Sequence, residues 1–185
     1  MIKNLAFIKK WYYFCNVKYN FLRDSVRMED VVKIASYICQ RYQIEFGERI
    51  DEMKLHKLLY FAQRESLIQL DEPLFSAQFE AWKYGPVLVE IRQLYKDDKL
   101  HESLSSEAIE KFAKVFDKVF SQYAKKDSWS LSLLTHGEYS WQEARHGIGD
   151  DEPCSVLIRL DDIRKDAQRI KMRRFVLKHC KFSIS

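Results

Sequence analysis

Residues 51–69, DEMKLHKLLYFAQRESLIQ, set Leu55, Leu58, Leu59 and Ala62 at helical spacing on one face, which Phe61 and Leu67 widen. Asp51 stands in front of them as an N-cap. A helix this apolar belongs at the centre of a fold, so the rest of the chain has to be arranged around it. Only five glycines and three prolines occur in 185 residues, too little turn chemistry for a many-stranded β architecture. The expected fold class is mainly α: a compact single-domain helical bundle with a short extended or hairpin element. A chain of this length supports one full core, burying about 70% of its unfolded surface, and is short for two.

Further helices read from the same periodicity. Val31, Ile34, Ala35, Ile38, Cys39 and Tyr42 define one between Met28 and Phe46, stopped by Gly47. Asp71-Glu72-Pro73 breaks the pattern, and the pieces around Leu74–Phe75 and Gln78–Trp82 are candidates for a hairpin or structured loop. A third helix is expected over 86–96, with Gly85-Pro86 as its opening. Ser105 or Ser106 caps a fourth carrying Ile109, Phe112, Phe116 and Phe120, and Asp127 or Ser128 starts the short WSLSLLTH helix. Ser140 and Glu143 have capping-box spacing for another short helix. GIGDDEP, residues 147–153, reads as an exposed loop, CSVLIRL as extended, and a last helix starts near Asp161 and becomes basic toward Lys178.

Charge divides the chain unevenly. Residues 1–27 hold Lys3, Lys9, Lys10, Lys18, Arg23 and Arg27 against Asp24 alone, a net of +5, whereas the remainder has 25 basic and 26 acidic residues, a net of −1. The case for nucleic-acid binding thus rests on the N-terminal segment and is the weaker alternative. That segment has no uncharged run longer than Trp11–Val17, well short of the roughly 20 residues that span a bilayer, so no membrane partner is expected. The expected boundaries are a basic aromatic extension over 1–27, upstream of a possible natural start at Met28, a helical domain over 28–175 and a tail over 176–185. Cys15, Cys39, Cys154 and Cys180 follow no CxxC spacing and read as reduced thiols of a cytoplasmic protein.

No catalytic constellation emerges. Phosphate-cradling glycine loops, HExxH, GxSxG and paired CxxC motifs are all missing from the sequence. His136 and His146 with Glu138 or Asp150 match no common metal spacing, and His56 reads as a helix-surface or boundary histidine. The expectation is a non-enzyme without cofactor or metal. What stands out is a density of aromatics at turns, Trp82, Tyr84, Tyr139 and Trp141. They either seal corners of the core or form a patch for a partner.

Three segments in succession, KLHKLLYFAQ, FEAWKYGPV and THGEYSW, resemble the Panacea domain of SocA-like antitoxins, common in bacterial and prophage toxin–antitoxin pairs. Lys54, Leu58 and Tyr60 match the first motif. Phe79, Glu80, Ala81, Trp82, Gly85, Pro86 and Val87 match the second, with Tyr84 inside it, and Thr135, His136, Glu138 and Trp141 match the third. The resemblance covers roughly residues 28–170, with Ser140 where proline is common. It implies a helical protein without catalysis of its own that neutralises a cognate protein toxin by direct binding, or hands that toxin to a Clp-type protease. The motif residues, with Trp82 and Tyr84 framing the start of the third helix, are then the expected partner-binding platform.

Overall fold

The computed structural model describes residues 28–149 and 151–179. Residues 1–27, Asp150, Cys180 and the end of the C-terminal tail, and the sequence expectations that fall on them, lie outside this description. Seven α-helices and one two-stranded hairpin make up the regular structure of the described residues, a mainly α fold as expected.

Helix α1, Val31–Phe46, starts at Asp30, whose carboxylate accepts from the Val32 amide at 2.8 Å, and stops at Gly47 in the left-handed region, φ 73°. Helix α2, Glu52–Gln69, begins at Asp51, which accepts from the Lys54 amide. From Leu55 to Ile68 every residue of α2 is buried, because α1, the hairpin and three later helices enclose it on all sides. Its sequence therefore understated its burial. Most of the polar groups enclosed with it are hydrogen-bonded to the backbone of neighbouring segments or to polar side chains. The Gln63 amide accepts from the Leu74 and Phe75 amides and donates to the Phe75 carbonyl, pinning the turn that follows α2. His56 is a correction: it is 1% exposed and belongs to the interior, not to a helix boundary.

The hairpin pairs β1, Glu80–Trp82, with β2, Gly85–Val87, antiparallel and with Trp82 opposite Gly85. Gly85-Pro86 thus lies in a strand. Helix α3 starts later than the sequence suggested, at Val89, and runs to Lys96. The CSVLIRL segment runs beside β1 as expected of an extended piece, with the Ala81 amide on the Val156 carbonyl at 2.9 Å and the Ile158 amide on the Phe79 carbonyl at 2.7 Å. Helix α4, Ser106–Val119, is capped by Ser105, and a π-helical turn, Phe120–Ala124, follows it. That turn carries Tyr123, stacked on Phe61 at 4.1 Å.

Helix α5, Ser128–His136, is capped by Asp127. Helix α6, Tyr139–Ala144, has no capping box: Ser140 lies inside it, and no side-chain bond comes from its own cap residue, Glu138. Asp166 of α7, Leu160–His179, supplies the missing acceptor, at 2.8 Å from the Tyr139 amide and 2.9 Å from the Ser140 amide. Helix α7 continues past 175, the boundary expected from sequence. Cys39 and Cys154 are free thiols.

Candidate functional site: a corner where three motifs lock

The hairpin has three residues per strand, too few to stand alone. It is held by side chains from elsewhere, each donating to one of its backbone carbonyls. Arg145 takes Ala81 at 3.1 Å, the Trp141 indole N–H takes Trp82 at 3.0 Å, Ser132 takes Tyr84 at 2.9 Å, and Lys57 takes Pro86 at 3.3 Å. Each replaces a ladder bond that an isolated ribbon would give up to water.

Gly85 is where all three motifs meet. Its φ of 99° excludes most side chains, and a Cβ built there would come within 2.4 Å of Thr135 Oγ1 and 2.8 Å of Lys57 Cε. The glycine of the second motif is thus demanded by a helix residue from the first and another from the third. Thr135 is fully buried, its hydroxyl turned onto the Ser132 carbonyl at 2.8 Å. His136 stacks on Trp141, ring centroids 4.2 Å apart, and its carbonyl accepts from Gln142.

Behind this corner lies a buried polar cluster. Arg64 binds Glu138 and, at 2.7 Å, the Tyr123 hydroxyl. The Tyr60 hydroxyl is hydrogen-bonded to the Ser140 hydroxyl at 2.8 Å and donates to Asp166 at 3.3 Å. Burial pushes the Glu138 carboxyl up to about 7; Arg64 opposes the shift and the nearby Asp166 carboxylate adds to it. Burial likewise raises the Tyr60 phenol well above its ordinary value.

Most of the expected site residues converge here: Trp82, Gly85, Pro86, Thr135, His136, Glu138 and Trp141 in the corner, with Tyr60 behind it. Phe79 and Leu58 are core, and Lys54 is elsewhere, donating to Tyr42 at 2.8 Å between α1 and α2. Glu80 accepts from the Trp82 indole at 2.7 Å. Tyr84 is different, 45% exposed and edge-on to Trp129 at 5.3 Å. Trp82 and Tyr84 therefore frame a hairpin turn and not a helix start. Among the described residues no three metal-ligating side chains come together, so His136 and His146 form no metal centre with Glu138 there.

Sequence reading missed Lys57, Arg64, Asp166 and Trp129. A lysine set between His56 and Leu58 in an otherwise apolar run was a legible signal for the first. Asp166 gave none, since its partners Tyr139 and Ser140 are far away in sequence.

A sequence profile described as "Antitoxin SocA-like, Panacea domain" matches residues 55–142, which take in the hairpin, α5 and the first part of α6. "Antitoxin SocA" of Caulobacter vibrioides (strain NA1000 / CB15N) is 50% identical over 38 residues, an alignment spanning 20% of this chain and 20% of that protein. No solved structure matches the chain. The segment that carries the three motifs, packed together around Gly85, is thus similar to the Panacea domain of SocA-like antitoxins over a little less than half of the chain.

Proposed function

We propose that this protein neutralises a co-encoded protein toxin by binding it directly, through the edge formed by Tyr84, Trp129 and Leu133. The observation that carries the reading is the exposure of that edge: Trp129 is 60% and Leu133 71% accessible, one helical turn apart on α5, with Tyr84 against the indole. Trp and Tyr concentrate binding energy at interfaces, and contiguous exposed apolar surface marks contact sites. The edge stands on α5 and the hairpin turn, joined by the Ser132–Tyr84 bond and packed around Gly85, so little conformational entropy is lost on docking. Similarity to the Panacea domain of SocA-like antitoxins supports a toxin as the partner, met in the cytoplasm. Occupying the toxin requires no catalytic step and no cofactor.

The test is co-expression with the adjacent open reading frame. Wild-type protein is expected to restore growth and to co-purify with the neighbour, while Trp129→Ala combined with Leu133→Glu loses both and keeps its melting temperature. A neighbour that is harmless alone, or that stays toxic and unbound beside the wild type, refutes the reading. Full protection by the double variant removes this edge from it.

A second surface favours an adaptor variant of the same function. Met172, Phe175 and Leu177 are exposed on the distal part of α7, beyond its packed half. A protein that hands its toxin to a Clp-type protease needs two such faces. The toxin's half-life in cells with and without the protease separates delivery from simple occupation.

A further inference from the structure

A cleft of about 680 Å³ opens between the start of α2, the hairpin, α3 and residues 151–155, within the size range of small-molecule sites. Its lining includes two of the most deeply buried polar side chains of the molecule, His56 and Lys57, each 1% exposed. His56 Nδ1 accepts from the Leu88 amide at 3.3 Å, which fixes the ring proton on Nε2, and Nε2 has no hydrogen-bond partner. Lys57 carries three donors, and the Pro86 carbonyl at 3.3 Å is the one acceptor it reaches.

The charges around the mouth are already matched. Arg92 pairs with Glu52 at 2.9 Å and lies over the Trp82 ring, and Lys83 pairs with Asp151 at 2.7 Å. Glu80 holds the Trp82 indole. Within the cleft lining, the Lys57 ammonium and the neutral His56 N–H are left with donors unspent, in a wall that also includes Met53, Val87 and Pro153. A single cation with a neutral donor fits a monoanion. The acidic side chains at the mouth disfavour a phosphate dianion.

We propose that this cleft binds an apolar monocarboxylate, its carboxylate received by Lys57 Nζ and His56 Nε2–H and its hydrocarbon body packed against Trp82 and Val87. The carboxylate belongs either to a free organic acid or to the C-terminus of a peptide. The site adjoins the toxin-binding edge at Tyr84, which belongs to both, while Lys57 and His56 lie outside that edge.

The electrostatics supply a signature. Burial lowers the Lys57 ammonium to about 7, with Asp51 opposing the shift, and burial, then Lys57 and Arg92, lowers His56 to about 3. The other ionisable groups facing them are Glu52 on α2, Arg92 on α3, Glu80, Lys83 and Tyr84 on the hairpin, and Asp151 and Cys154 opposite. A carboxylate stabilises the protonated amine, so binding near neutral pH takes up a proton. Above about pH 8 affinity falls roughly tenfold per unit as free Lys57 stays deprotonated.

The experiment is calorimetric titration of the full chain with 3-phenylpropionate, its amide, inorganic phosphate, and a short peptide ending in phenylalanine as free acid and as amide. Expected are binding by one or both acids, at least tenfold weaker binding by the matching amides and by phosphate, and proton uptake seen as a buffer-dependent enthalpy at pH 7.5. Stronger binding of 3-phenylpropionate assigns the free acid as source, and stronger binding of the peptide acid assigns a chain terminus. Lys57→Met, which keeps the volume, is expected to fold by circular dichroism and to bind the acids at least tenfold more weakly. No binding of either acid at 10 mM, equal binding of amides, or undiminished binding by the folded variant overturns the proposal. So does a pH-independent affinity of the wild type between pH 7 and 9, a measurement that stands even where the variant fails to fold.

Discussion

Gly85 is the residue on which the corner turns. Alanine there must adopt a φ of 99° and drive its methyl group into Thr135 Oγ1 and Lys57 Cε. Neither side chain has room to yield, since both are buried and bonded to backbone. Gly85→Ala is expected to cost at least about 2 kcal/mol by urea unfolding, with antitoxic activity lost in step. Glu138 makes the opposite kind of statement. Its carboxyl is raised from 4.5 to about 7 by burial and by Asp166. The folded state therefore holds a proton that the unfolded chain releases above pH 4.5, and the associated stability is present below that value and fades as pH rises through 7. Glu138→Gln keeps a neutral group beside Arg64. It is expected to remove about 1–2 kcal/mol of the stability decline between pH 5 and 7.5, read as a smaller fall in urea midpoint than the wild type shows.

At the scale of elements, α2 is the organising helix and α6 the dependent one. Six residues are too few for a helix to form on propensity. Helix α6 is held because Asp166, a turn into α7, accepts from its first two amides while touching Tyr60 of α2. Asp166→Ala leaves the buried Ser140 N–H and the part-buried Tyr139 N–H without this acceptor, and the expected loss is about 2–3 kcal/mol. Amide exchange at Tyr139 and Ser140 should quicken more than exchange in α2. By contrast, the starts of α2, α4 and α5 were legible in the sequence to within a residue. Asp51, Ser105 and Asp127 cap their own helices through bonds spanning three residues, so the signal is local. Helix α1 was expected from Met28, and Asp30 caps it two residues further on. The start of α3 was misread because proline after glycine suits both a first helical turn and a strand. Packing against Thr135 and Lys57 decided for the strand.

Across the whole molecule, no helix of the described residues is long and apolar enough to cross a membrane. Among the exposed large apolar residues, Trp129, Leu133 and Leu134 share α5 and Met172, Phe175 and Leu177 share the end of α7, while others such as Ile44 and Val89 stand apart. Charge is distributed otherwise: the net of +5 over residues 1–27 contrasts with −1 for the remainder. Removing residues 1–27 is therefore expected to lower the salt concentration at which the protein leaves heparin, and to leave toxin neutralisation through the α5 edge intact. Persistence of the original elution position would mean that the basic stretch of α7 carries the polyanion affinity.

Read alone, the sequence carried the helical class, three of the caps, and the three segments that resemble the Panacea domain, because periodicity, capping and contiguous motifs are written within a few residues of one another. Tertiary structure alone decided that α2 is buried on every side, that Lys57 and His56 open into a cleft, that Asp166 caps a helix in another part of the chain, and that Trp129 joins Tyr84 at the surface. Each of these depends on contacts between residues distant in sequence, where a side chain's partner is set by the packing of whole helices and not by its neighbours along the chain.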